Sequence, residues 1–341
     1  VDAATGATLW KHAFRDAHSA TEARKSGPYN TPCAGDGRAF MQSGVTGKVR
    51  AFDAASGKLL WEFTDLPAVA VGTRNRELAL KAGLFPYNYR GGKNAGGQKE
   101  VLDSAPQLAD GVLVVSSHLS RGGSPVGLDA ATGKKLWGPL AGVSNSSPGP
   151  LRWVHKGKEY FITSSGCCIE PKSGKVLWSV KPEGAIWAVC ETCMVSNGSR
   201  GGGVTCYRID PEKAVKAWSL PSPEQANCGW MNGVTIYQDH AYGIFEKPEW
   251  TLYCVRLEDG KITSRKPQGR HAIGYFSVAG DGRLWGQEGE EFDLNPADFH
   301  LLGGGLAPCA TGTSPAWADG RLFFRGRIGI FCYDVRQPTG P

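Results

Sequence analysis

The 341-residue sequence has no apolar run approaching the ~20 residues that a membrane-spanning helix needs, so no segment is expected to cross a bilayer in that way. It also lacks a block of basic residues. The 38 Lys and Arg stand against 32 Asp and Glu, and the net +6 is scattered along the chain. Without a basic stripe there is no track for a phosphate backbone, and nucleic acid is not an expected partner. A leader segment is missing too: the chain opens at Val1 inside a block that recurs further on, which reads as a longer natural protein cut short at its N-terminus.

What the sequence has instead is turn-formers and large packing anchors, 47 glycines and 11 tryptophans, a mixture that suits an all-β fold. Its ten cysteines exceed what a reduced cytosolic protein usually carries, which points to a periplasmic or extracellular setting.

Self-similarity is the strongest signal. VDAATGATLW (Val1 to Trp10), FDAASGKLLW (Phe52 to Trp61), LDAATGKKLW (Leu128 to Trp137) and IEPKSGKVLW (Ile169 to Trp178) align without a gap, and IDPEKAVKAW (Ile209 to Trp218) keeps the spacing but loses the glycine. A second pattern sets proline four residues before Asp-Gly, in TPCAGDG (Thr31 to Gly37), APQLADG (Ala105 to Gly111) and SPAWADG (Ser314 to Gly320). Asp-Gly and Thr-Gly supply the positive φ angles of tight hairpins, and the runs between them alternate at strand length. In the clearest unit the second, third and fourth strands are expected at 38–42, 48–53 and 58–62. A sheet of four such strands cannot shield both faces alone, so successive sheets must stack, and twisted sheets stacking in sequence close into a β-propeller.

The expected fold is therefore all-β: a single propeller domain over 1–341, with seven blades of four antiparallel strands and an insertion at 62–103. The last unit ends at CYD without its fourth strand, and the chain begins with a lone one. Either Thr8 to Trp10 completes the last blade, or the sequence is a fragment of an eight-bladed protein, which is the preferred reading. Trp10, Trp61, Trp137, Trp178 and Trp218 are read as blade-docking residues, because a flat ring at the end of an outer strand can bury its surface against the next blade. Asp2, Asp53, Asp129 and Asp210 are read as acceptors for turn amides.

The repeated LDAATGKxLW blocks resemble the pyrroloquinoline-quinone (PQQ)-like repeat of quinoprotein alcohol dehydrogenases and of the outer-membrane barrel-assembly lipoprotein of bacteria. The resemblance covers nearly the whole chain and implies an exported bacterial propeller. It does not by itself imply the quinone, because one fold serves many functions.

The adjacent Cys167 and Cys168 resemble a disulfide found beside PQQ in some dehydrogenases of that family, and Cys190 and Cys193 form a CxxC; both pairs are candidate disulfides. Two alternatives are weighed against them. Cys168 stands where Ala51, Gly127 and Cys332 stand in other blades, so a small buried side chain satisfies that position. For Cys190 and Cys193, Met194 rules out haem attachment, and residues three apart in a strand face opposite ways, which disfavours shared metal chelation. No metal site is expected, and the Glu, Asn and Asp set that would hold the quinone's calcium is not seen.

The insertion contains TRNRELALKAG (Thr73 to Gly83), which reads as a short capped helix, followed by a loop carrying Tyr87, Tyr89 and Arg90. Connections from fourth to first strands gather on the funnel face of a propeller and contribute Tyr29, Asn30, Asn145, Asn227, Trp230, Arg270 and His271. Aromatic walls with polar groups are the usual lining of a small-molecule site. The expectation is an exported binding or scaffold protein that presents this face to a protein partner or a small polar ligand and needs no cofactor. The alternative is a PQQ- and calcium-dependent alcohol or sugar dehydrogenase, or another enzyme using the same funnel.

Overall fold

The computed structural model describes residues 2, 4–12, 32–42, 48–66, 105–116, 123–145, 149–198, 203–221, 233–245, 251–267, 276–286, 290–303, 315–325 and 330–336. The helix read at Thr73 to Gly83, and most of the insertion that holds it, lie outside them. Among the described residues every element is a strand, and no helix is long and apolar enough to cross a membrane.

The strands form seven antiparallel sheets in meander order, the blades of a β-propeller. Two compact units share them: Thr8–Lys181 with Asp210–Lys213, and Val1–Ala7 with Pro182–Ile209 and Ala214–Pro341. In the first unit lie β1 (Cys33–Gly35), β2 (Arg38–Gln42), β3 (Val49–Asp53) and β4 (Leu59–Phe63); then β5 (Gln107–Ala109), β6 (Val112–Ser116), β7 (Pro125–Asp129) and β8 (Lys135–Trp137). Its third blade is β9 (Leu151–His155), β10 (Lys158–Ile162), β11 (Cys167–Ile169) and β12 (Val176–Ser179).

In the second unit lie β13 (Ala185–Val189), β14 (Cys193–Asn197), β15 (Val204–Ile209) and β16 (Ala214–Leu220), followed by β17 (Val234–Tyr237), β18 (His240–Phe245), β19 (Thr251–Arg256) and β20 (Ile262–Pro267). The sixth blade is β21 (Phe276–Val278), β22 (Arg283–Gly286), β23 (Glu291–Asp293) and β24 (His300–Gly303). The seventh is three-stranded: β25 (Ala316–Ala318), β26 (Arg321–Arg325) and β27 (Ile330–Asp334). Thr8 to Trp10, considered above as a completing strand, carries no strand structure.

The turn chemistry follows from backbone angles. Asp36-Gly37, Asp110-Gly111 and Asp319-Gly320 all have positive φ at both positions, the mirror-image turn whose twist matches its flanking strands. In β6 every residue is buried, yet Leu113 and Val115 join the cluster with Phe40 and Ala51 of the first blade while Val112 and Val114 join that with Phe161 and Ile169 of the third. Alternate side chains go to opposite faces, so both faces of this sheet are core. β18 and β19 repeat the arrangement, with Ala241 and Tyr253 packed towards Val195 and Tyr242 and Leu252 towards Leu284.

The repeat tryptophans Trp61, Trp137, Trp178 and Trp218 stand between one blade and the next, and Trp10 packs on the first blade in the same way. Each indole Nε1 donates to a main-chain carbonyl in the next third-to-fourth-strand hairpin: Trp10 to Ala54 (2.9 Å), Trp61 to Ala130 (3.1 Å), Trp137 to Pro171 (2.6 Å), Trp178 to Asp210 (2.8 Å) and Trp218 to Leu257 (2.9 Å). The ring lies on the glycine of that hairpin. A Cβ at Gly57, Gly133, Gly174 or Gly260 would stand 2.4, 2.6, 2.5 or 2.8 Å from the indole of Trp10, Trp61, Trp137 or Trp218. The glycine thus has two reasons to be there, a left-handed backbone and the close approach of a ring.

Each hairpin is fixed internally by its acid. Asp129 Oδ1 accepts from Thr132 N (2.8 Å) and Thr132 Oγ1 (2.7 Å), and Asp53 does the same with Ser56. The hydrogen bond from the hydroxyl, then that from the amide, lowers both carboxyls below the usual aspartate range. A depressed folded-state pKa contributes stability above about pH 4, the unfolded value, and loses it as pH falls through the folded one. Asp129→Asn should therefore flatten the acid limb of a stability–pH profile measured by urea unfolding, whereas an unchanged limb would deny the carboxylate this role. In the same assay Gly174→Ala should cost about 1–3 kcal/mol through clash and backbone strain, and less in a Trp137→Ala background where the ring is gone.

Candidate functional site

At the ends of the second strands, away from the Asp-Gly turns, the first unit carries a line of buried polar groups. Gln42 closes β2, Ser116 closes β6, and Thr163 and Ser164 follow β10. Gln42 Nε2 donates to Ser116 O (2.8 Å), Asn145 Nδ2 donates to Ser116 Oγ (2.9 Å), and Ser164 N donates to Asn145 Oδ1 (3.4 Å). Asn145 N in turn donates to Gly123 O (2.8 Å), and Ser165 Oγ donates to Ser144 O (2.6 Å). Neutral amides and hydroxyls suit the place, because each group both gives and receives and none brings a charge into the interior. The network ties three blades together beneath the connections on that side.

Of the residues proposed for a funnel pocket, Asn145 alone is described, and it is only 1% exposed. Its side-chain amide is engaged within the protein at both ends, so it supports the loop floor rather than offering itself to a ligand. Tyr29, Asn30, Tyr87, Tyr89, Arg90, Asn227, Trp230, Arg270 and His271 lie outside the described residues.

A groove of about 730 Å³ lies at the opposite end of the same blades, among the first hairpins around Asp36, Asp110 and Lys158. Glu159 on β10 forms its floor, paired with Arg152 on β9 and accepting from the main-chain amide of Asp110 in the neighbouring blade. Lys172 reaches Asp110 at 3.1 Å. Sequence reading missed this groove. Its turns were legible, but the charged residues around it come from different repeat positions in different blades.

The cysteines occupy two kinds of place. Ala51, Gly127, Cys168 and Cys206 stand directly opposite Trp61, Trp137, Trp178 and Trp218 across the third and fourth strands. The ring needs a small partner there; a Cβ on Gly127 would stand 2.1 Å from Trp137. Cys167 and Cys168 are separate buried thiols of an extended strand, which turns neighbours to opposite faces, and burial pushes Cys168 up to about 12. Cys190 and Cys193 correct the strand argument made for them. They flank a two-residue turn, closed by Cys190 N donating to Cys193 O (2.8 Å), and their sulfurs face each other at 2.8 Å.

The quinone's requirements can be set against these residues. An adjacent disulfide does not suit β11 as it stands, and no group of three His, Cys, Asp or Glu among the described residues could hold a metal ion. The described residues therefore do not fit PQQ with calcium.

Seven antiparallel sheets, with an indole clamp recurring at the repeat tryptophans, define the chain as a PQQ-like β-propeller. Residues 1–263 match the family described as "Outer membrane protein assembly factor BamB", and the chain belongs to that family. The fold is similar to BamB from Moraxella catarrhalis, at 12% identity and a TM-score of 0.55, over 86% of this chain and 80% of that one. It is also similar to a europium-containing methanol dehydrogenase, at 11% identity and a TM-score of 0.53, over 89% and 72%. Such identities show the fold alone. No curated protein matches the sequence.

Removing the amide in Asn145→Ala takes one hydrogen-bond partner from buried polar groups of the second and third blades. The expected cost is about 1–3 kcal/mol in urea unfolding, against less than about 0.5 for the exposed Lys172→Ala. Equal effects would mean that the network does not link the blades.

Proposed function

We propose that this protein is an exported binding or scaffold propeller, which presents the face of its fourth-to-first-strand connections to a protein partner or a small polar ligand. Membership of the assembly-factor family over residues 1–263 is the observation that carries this reading. The line from Gln42 through Ser116 and Asn145 to Ser164 supports it physically, because recognition loops need a floor held by internal hydrogen bonds beneath them. Export agrees with the family and with a chain rich in cysteine.

The binding reading and the dehydrogenase alternative differ in what added quinone should do. Purified protein mixed with PQQ and calcium should show no stoichiometric change in the quinone's absorbance and no alcohol-dependent dye reduction. Saturable uptake coupled to dye reduction would replace the binding reading with an enzymatic one. Uptake without turnover would make the quinone the ligand.

A further inference from the structure

The tryptophan rule explains why Cys206 is small, but it does not explain Cys190 or Cys193. These three cysteines lie on one face of the fourth blade. Cys190 and Cys193 are opposite each other across the β13–β14 turn, and Cys206 on β15 pairs with Val195, two residues along from Cys193. Residues two apart on a strand share a face, so Cys193 and Cys206 are diagonal neighbours.

The three thiols pack together. Cys190 and Cys193 are in contact at 2.8 Å, and Cys193 and Cys206 are buried in one core cluster against which Cys190 packs. Donating to Cys193, then burial, push Cys190 up. Accepting from Cys190 pulls Cys193 down, yet donating to Cys206 and burial outweigh it and lift the group to about 12. Cys206 moves the other way: the bond it accepts from Cys193 lowers it against burial, with the Arg208 guanidinium adding to the effect. Negative charge is therefore best placed at the inner end, while Cys190, at the outer end, keeps partial contact with solvent.

We propose that Cys190 and Cys193 are a reversible dithiol–disulfide couple that exchanges with low-molecular-weight disulfides, and that Cys206 is a positioning residue which receives the Cys193 proton. In the first step Cys190, which reaches solvent, gives its proton to water, and its thiolate attacks one sulfur of an external disulfide. A Cys190–S–S–R bond forms, the R–S–S–R bond breaks, and one RS⁻ leaves. Cys193 then gives its proton to Cys206 and attacks Cys190 Sγ, closing the Cys190–Cys193 bond and expelling the second RS⁻. Two electrons pass from the pair to the external disulfide, which leaves as two thiols after taking up two protons. A thiolate attacking sulfur is the ordinary route of such exchange, and its rate follows the fraction ionised.

The test uses the full chain equilibrated in glutathione buffers of increasing oxidised fraction, then alkylated, digested with trypsin and weighed. Cys190 and Cys193 fall on one peptide ending at Arg200, while Cys206 falls on the next, ending at Arg208. The expected product is the first peptide two hydrogens lighter, with Cys206 still alkylated. Cys193→Ser should instead trap glutathione on Cys190. Cys206→Ala should slow closure about tenfold near pH 7 and move the rate–pH profile upward, which a packing role alone would not do. Wild-type protein that keeps both thiols reduced at the most oxidising ratio, or that links the two peptides instead, overturns the proposal whether or not the variants fold. An unmoved pH profile for Cys206→Ala removes Cys206 from it.

Discussion

The interaction on which the architecture depends is the bond from a tryptophan at the end of one blade to the main chain of the next blade's hairpin. Four indoles make it, Trp10 ahead of the first blade makes the same bond, and four of the five lie against a glycine with no space for a methyl group. Ring and hairpin are complementary: the indole buries its face, satisfies its N–H and covers a carbonyl that the turn cannot pair. Since four of the five hairpins also begin the run leading to their own tryptophan, one ten-residue block both receives a clamp and supplies the next.

From that constraint the rest follows outward. A ring pressed across its own sheet demands a small residue opposite, which is why alanine, glycine and two cysteines occupy equivalent places in four blades. Blades held at fixed separation bury both faces of their inner strands, so β6 is apolar on alternate sides for two different neighbours. Where the inner strands end, neutral polar side chains take over and bond from blade to blade. The face proposed for binding thus stands on a floor linked by internal hydrogen bonds. The thiol cluster of the fourth blade is a local departure, because only one of its three cysteines serves the repeat.

Much of the fold was legible because its signals are local and recur. The expected strands 38–42, 48–53 and 58–62 are found at Arg38–Gln42, Val49–Asp53 and Leu59–Phe63. Asp-Gly announced its turns through the φ angles it permits, though Lys156-Gly157 and Gln238 adopt the same left-handed backbone without that signature. The site was far less legible. Gln42, Ser116 and Asn145 come from separate blades, two from strand ends and one from a connection, so no alignment of repeats brings them together. For Cys190 and Cys193 only the facing was wrong, because a two-residue turn, unmarked by glycine, reverses what an uninterrupted strand would impose and brings the two sulfurs together.

The most direct measurement of the clamp is hydrogen exchange at the indole nitrogens, followed by NMR in protein labelled at tryptophan. The account requires the Nε1 protons of Trp61, Trp137, Trp178 and Trp218 to exchange orders of magnitude more slowly than that of free indole, because each must leave its carbonyl before reaching water. Exchange of these protons at the rate of a solvated indole, in protein that remains folded, would contradict it.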